Sequence, residues 1–142
     1  MRTWFRAWAT ATAIAAALAA CGAMPSEKTL AQDQAVRDFI EVRALEEADK
    51  IRVADRDGWT EMTPRFLIYY TRKDAYLFEF YRPCYELQDS TRIVADVRSE
   101  PNLVRARFDT LRGCRIDRIY PLTEAEAAEL KDIGDSPGGE RN

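Results

Sequence analysis

Residues 65–81 read RFLIYYTRKDAYLFEFY, and the way this stretch is divided decides the fold. Arg65 to Thr71 (Arg-Phe-Leu-Ile-Tyr-Tyr-Thr) is dense in β-branched and aromatic residues, which suit a pleated, half-buried backbone. Arg72-Lys73-Asp74 is a short polar turn, and Ala75 to Tyr81 (Ala-Tyr-Leu-Phe-Glu-Phe-Tyr) is a second run of the same kind. Two such runs around three polar residues predict a β-hairpin. Both are apolar on both faces for part of their length, which predicts central strands with a helix over one side.

Upstream, Lys50 to Arg56 alternates poorly, with Ile51 and Val53 facing in and Arg52 and Ala54 facing out. Asp57-Gly58 is the dipeptide favoured in tight hairpin turns, so Trp59 is expected to open a return strand that Met62-Thr63-Pro64 breaks. Before that, Thr29 with Gln32 three residues on is a capping-box pattern. Val36, Phe39, Ile40, Val42 and Leu45 follow at helical spacing among acidic residues, which predicts an amphipathic helix from about Leu30 to Glu47.

Downstream, Thr91 to Arg98 alternates cleanly, with Ile93, Ala95 and Val97 on one face. After the turn Ser99-Glu100-Pro101-Asn102, the residues Val104, Ala106 and Phe108 are expected to face inward between outward Arg105 and Arg107. Cys114 to Tyr120 is the last strand. Its apolar Ile116 and Ile119 stand three apart, so period two breaks and a bulge is expected near Asp117. Pro121-Leu122 should stop the strand. Thr123-Glu124-Ala125-Glu126 is a second capping box, opening a helix that Gly134 should close as a left-handed cap. The order helix, antiparallel strands, helix makes an α+β domain with a sheet of about five to six strands.

The N-terminus has the layout of a secretory signal. Arg2 and Arg6 precede an apolar run over Ala7 to Ala17, and the small residues Leu18-Ala19-Ala20 follow. The run is about half the ~20 residues that a spanning helix needs, so it is not read as a transmembrane segment. Leu18-Ala19-Ala20-Cys21-Gly22 resembles the lipobox of bacterial lipoproteins. The resemblance implies cleavage before Cys21, diacylglyceryl modification of its sulfur and acylation of its amine. Two or more acyl chains hold a protein durably on a bilayer, where one gives only marginal binding. Gly22 follows, where inner-membrane-retained lipoproteins of enteric type carry Asp, so the outer membrane is favoured.

This reading divides the chain into a signal (1–20), a lipidated cysteine and tether (21–28), one globular domain (29–134) and a frayed tail (135–142). Cleavage would leave 122 of the 142 residues, enough for one core. It would also leave 19 basic against 24 acidic residues, a charge of −5. A net-acidic chain with no Lys/Arg-rich run argues against nucleic acid.

The remaining cysteines, Cys84 and Cys114, form an even pair in an exported chain, which reads as a disulfide. A redox pair usually has its thiols close in sequence, and a zinc site needs about four ligands. The chain has no histidine, which removes Ser-His and Cys-His nucleophile pairs and imidazole metal sites. No glycine-rich phosphate loop is present. A carboxylate-pair hydrolase remains open in principle, and Glu79, flanked by Phe78 and Phe80, is the one acid with an apolar setting; strand alternation favours its facing outward. Catalytic, metal and cofactor groups are therefore expected to be absent, and the chain is not read as an enzyme.

Between Arg92 and Arg118 stand seven arginines and four acids. Arg105, Arg107, Arg115 and Arg118 are the candidates to share a sheet face and grip an anionic partner: a lipid headgroup, a lipopolysaccharide phosphate or an acidic protein surface. Cross-strand pairing with Asp and Glu is the competing and favoured reading.

Tyr76-Leu77, Arg82-Pro83-Cys84 with Leu87, Arg107-Phe108-Asp109 and Cys114-Arg115-Ile116 ahead of Ile119-Tyr120-Pro121-Leu122 together resemble a family of small proteobacterial exported proteins and lipoproteins of unknown function. The resemblance covers about residues 59–122. It implies a Cys84–Cys114 pair and brings no activity or ligand. The expected protein is an outer-membrane lipoprotein facing the periplasm, with a non-enzymatic binding or structural domain. Its expected partners are the membrane, through the anchor, and another envelope protein or an anionic lipid. The alternatives are a ligand-binding or inhibitor domain using the arginine face or the aromatics Tyr69, Tyr70, Tyr76, Phe78 and Tyr81 and, less favoured, a hydrolase.

Overall fold

The computed structural model describes residues 24–53, 56–87, 95–96 and 102–134. In chain order the elements are α1 (Glu27–Val42), β1 (Lys50–Arg52), β2 (Arg56–Thr63), β3 (Phe66–Thr71), β4 (Ala75–Phe80), a single 3-10 turn (Tyr85–Leu87), β5 (Ala95–Asp96), β6 (Leu103–Arg105), β7 (Thr110–Leu111), β8 (Cys114–Leu122) and α2 (Glu124–Gly134). Six strands form an antiparallel sheet in the order β2-β3-β4-β8-β7-β5, and β1 pairs with β6 in a separate two-stranded sheet. The fold is α+β, as expected, and β3 and β4 are central.

The hairpin is central because each of its faces feeds a different core. On β4, Ala75 and Leu77 point toward the two helices, where they meet Val36, Phe39, Phe66, Ile68, Tyr120, Ala127 and Leu130. Phe78 and Phe80 point the other way, against Ile51, Leu67, Tyr69, Val104, Leu111, Ile116 and Ile119. Phe78 stacks on Tyr69 with ring centroids 5.5 Å apart. Strands buried on both faces lose the polar-out alternation of a one-sided sheet, which is why residues 66–71 and 75–80 read as almost unbroken apolar runs. Cys84 and Cys114 are joined, with their Cα atoms 5.8 Å apart. The bridge ties the segment after β4 to the start of β8.

Several local expectations are corrected. Helix α1 starts at Glu27, three residues early, because Ser26 rather than Thr29 is the N-cap and accepts from the Thr29 N–H. Part of the expected tether is thus helical. The helix also stops at Val42. Ala44 takes a left-handed φ of 48°, its N–H donates to the Glu41 carbonyl, and the Leu45 N–H donates to the Ile40 carbonyl. This is the double bond pattern of a Schellman cap. An alanine occupies the position where glycine usually marks the stop, and the apolar period runs on through Leu45, so nothing in the pattern announced the end.

Asp57-Gly58 is not a hairpin turn. It lies within β2, where the register slips by one residue against Thr71 and Tyr70 of β3. A β-bulge uses the same residue types as a turn, and the partner of β1 is β6 rather than β2. The tight turn sits instead at Arg112-Gly113, with φ of 51° and 80°, joining β7 to β8. Two successive positive φ values are the signature of a type I′ hairpin.

The expected bulge at Asp117 is present: Glu79 pairs with Arg118 and Phe80 with Ile116. Pro121 does not end β8, which continues to Leu122. A proline is tolerated there because β7 flanks only Cys114 and Arg115. Phe108 is exposed, not inward, because β6 ends at Arg105 and residues 106–108 turn, with Arg107 at φ 67°.

The second capping box forms as read: the Thr123 N–H donates to Glu126 Oε2 at 2.8 Å, and the Glu126 N–H donates to Thr123 Oγ1 at 3.3 Å. Gly134 is the last helical residue rather than a left-handed cap. A Cβ there would stand 3.0 Å from Met62 Sδ, so its small size serves close approach of α2 to β2. The strand expected over 91–98 lies outside the described residues except at Ala95–Asp96. Cys21 and the signal region also lie outside them.

Candidate functional site

Two features of the described surface have the chemistry of a site. The first is a ladder of charge along the end of the helix–sheet interface. Period two puts Glu79 on the same face as Ala75 and Leu77, so its side chain points under α1 and is only 7% exposed. Arg37, on the turn of α1 above it, reaches down to within 2.8 Å and passes over the Phe66 ring at 5.3 Å. Arg118, the cross-strand neighbour of Glu79, stands 3.9 Å from its other oxygen.

Arg118 also approaches Glu47 at 3.8 Å, and Arg107 closes an ion pair with the same Glu47. The result is an alternating chain: Arg37, Glu79, Arg118, Glu47, Arg107. Burial lifts the Tyr120 phenol above its ordinary pKa against the opposing pull of Arg118, and the Tyr120 contact raises Arg118 in turn. Each acid of the ladder is held by two cations. That arrangement ties α1, the segment after it, β4, β8 and the 106–108 turn together.

The four arginines singled out in the sequence do not form one open face. Arg107 and Arg118 are brought together on Glu47. Arg105 sits over the Phe108 ring at 5.7 Å, with Nε 3.7 Å from the fully buried Asp109. Asp109 also accepts from the Arg105 N–H at 2.8 Å, so the Arg107-Phe108-Asp109 motif builds a turn. Arg115 lies over the Tyr81 ring at 5.3 Å, in the second feature. Of the four, Arg105, Arg107 and Arg118 are thus engaged by acids, as the pairing reading expects. Glu79 is buried, contrary to the outward placement expected from alternation. The signal that would have placed it is its phase with Ala75 and Leu77.

The second feature is an open cleft of about 610 Å³ beside the disulfide. Tyr81, Tyr85, Arg82, Arg115, Pro25 and Pro83 are among the residues that line it. A smaller hollow of about 190 Å³ shares Pro25, Pro83 and Tyr85 with it and adds Leu30 and Arg65. Arg65 donates to the Tyr81 carbonyl at 3.3 Å. Sequence reasoning named Tyr81 only among general aromatics and missed Tyr85, Arg82 and Pro25 as neighbours. They meet because the Cys84 N–H donates to the Pro64 carbonyl at 2.7 Å and folds the segment after β4 back on the β2–β3 turn.

Among the described residues, the acid and sulfur atoms closest to a metal-ligand grouping are those of Cys84, Glu86 and Cys114. Both sulfurs are committed to the disulfide, so the group has no thiolate to offer a metal. No described helix is long and apolar enough to cross a membrane.

No curated protein and no solved structure matches the chain. A family model does match, over residues 4–133, reaching well beyond the 59–122 stretch of the sequence resemblance to take in both helices, the charge ladder and the cleft. On that match the chain belongs to the family of unknown function DUF6491.

Proposed function

We propose that this chain is an exported lipoprotein, anchored through Cys21 to the periplasmic leaflet of the outer membrane, whose folded part is a non-enzymatic binding or bracing module. The observation that carries the reading is the Cys84–Cys114 disulfide in a chain that opens with Leu18-Ala19-Ala20-Cys21 behind a basic and apolar leader. Disulfides of this structural kind persist in oxidising compartments, which agrees with export. The pairing of Glu79 and Glu47 by arginines, in a chain without histidine, supports a module that holds rather than converts its partner.

The test is fractionation of a Gram-negative host that expresses the parent and Cys21→Ser chains. The parent is expected in the outer-membrane fraction and the variant in the soluble periplasm. An equal distribution of the two would contradict the anchor. Cross-linking in intact cells followed by affinity capture tests the binding role, and recovery of no specific partner counts against it.

A further inference from the structure

The exposed apolar side chains are not spread evenly. Of the six large hydrophobic residues exposed among the described residues, Leu30, Tyr81 and Tyr85 line the two hollows at the end of the fold where α1 begins and the β2–β3 turn lies, and Met24 directly precedes Pro25, which lines both. Three arginines, Arg65, Arg82 and Arg115, line the same two hollows. Tyrosines that are apolar along the ring and polar at the tip, interleaved with arginines, are the side chains that settle at a membrane–water boundary. Guanidinium groups also match phosphate oxygens two at a time.

The position of this end relative to the anchor gives the patch its meaning. Pro25 lines both hollows. Four Cα steps separate it from Cys21, and at ~3.6 Å or less per step the two lie within about 14 Å. A domain held by so short a span keeps the end that carries Pro25 against the surface in which the acyl chains are buried.

We propose that this face docks on the phospholipid headgroups of the leaflet that holds Cys21, with Tyr81 and Tyr85 at the boundary of headgroup and acyl chain and Arg82 and Arg115 on the phosphates. The proposal rests on the lipoprotein reading above and deepens it. The domain is then oriented, not loosely tethered. Its β3–β4 turn at Arg72-Lys73-Asp74 points away from the bilayer, six strand residues or roughly 20 Å from Tyr81.

The test uses the full mature lipidated chain, purified from membranes and reconstituted in phosphatidylethanolamine vesicles with a minority of phosphatidylglycerol. Some of the acyl chains are brominated just below the headgroup. Tyr85→Trp places an indole on the face and Lys73→Trp places one at the far turn; Tyr81→Trp is the second reporter if Y85W folds poorly. Bromine is expected to reduce the added fluorescence of Y85W by about half or more, as for a side chain ~5–10 Å into the boundary, and to leave K73W unchanged. Adding Arg82→Glu and Arg115→Glu should reduce that quenching. If Y85W and Y81W are quenched no more than K73W while the protein floats with the vesicles, the docking face is wrong and the anchor stands. If the protein does not float with them, the anchor reading fails and the docking inference falls with it.

Discussion

Removing Arg37 should expose how the structure tolerates Glu79 under a helix. The side chain of Glu79 is 7% exposed, while Arg37 is 35% exposed and 2.8 Å away. Arg37→Met keeps the apolar stem over Phe66 and deletes the charge. A hydrogen bond to a charged group is worth about 1.5–3 kcal/mol, and the loss leaves a buried carboxylate facing only the more distant Arg118. The cation–π contact with Phe66 adds about 0.5–1 kcal/mol. Solvent around Arg37 favours the lower part of these ranges, so R37M should cost about 2 kcal/mol.

The sign of the next step is more telling. Glu79→Leu on top of R37M removes the stranded carboxylate from an apolar interface, so the double variant should recover to within about 1 kcal/mol of the parent. Urea unfolding followed by Trp59, the only tryptophan after residue 20, reads both effects. At a slope of about 1.5–2 kcal/mol per molar, R37M should lower the midpoint by roughly 1 M. A cost below about 0.5 kcal/mol for R37M, or a double variant weaker than either single one, would refute the ion-pair account.

Breaking the disulfide with Cys84→Ala and Cys114→Ala should cost roughly 3–4 kcal/mol by loop entropy for a separation of 30 residues, seen as a lower urea midpoint than the parent shows in non-reducing buffer. Ala44→Gly should stabilise by about 0.5–1 kcal/mol, because glycine enters the left-handed cap without a Cβ penalty; a melting temperature that falls would contradict the Schellman end of α1. Thr123→Ala should cost about 1 kcal/mol through loss of the α2 cap. Hydrogen bonds from Thr123 hold Glu126 below its ordinary pKa, so its contribution is complete above the ordinary carboxylate range and is lost as the pH falls through the depressed value. The stability gap between parent and Glu126→Gln should therefore close on acidification, and a gap that widens would refute the box.

The parts of the fold that were legible in the sequence are those whose pattern is set by local chemistry. The β3–β4 hairpin showed because both strands are buried on both faces and the polar Arg72-Lys73-Asp74 separates them. The α2 cap showed because Thr123 and Glu126 satisfy each other within one turn. The bulge at Asp117 showed because it breaks period two between Ile116 and Ile119.

What stayed hidden depends on docking between distant segments. Nothing near Asp57-Gly58 distinguishes a turn from a bulge, since both need compact, flexible residues; the distinction comes from β1 finding β6. Ala44 ends α1 against its own propensity, and only the six-residue bond from Leu45 to Ile40 reveals it. The charge ladder joins residues 37, 47, 79, 107 and 118, and no spacing rule connects them. The cleft forms only because the segment after β4 folds onto Pro64 and meets the start of α1.

The central claim is that Cys21 carries lipid while Cys84 and Cys114 carry each other. Intact-mass measurement of the protein from its native membranes tests it most directly. The account predicts a chain that begins at Cys21, bears a diacylglyceryl group and an N-acyl chain, and is lighter by two hydrogens than its reduced form. A soluble species without acyl mass, or one in which alkylation finds free thiols at Cys84 and Cys114, would contradict it.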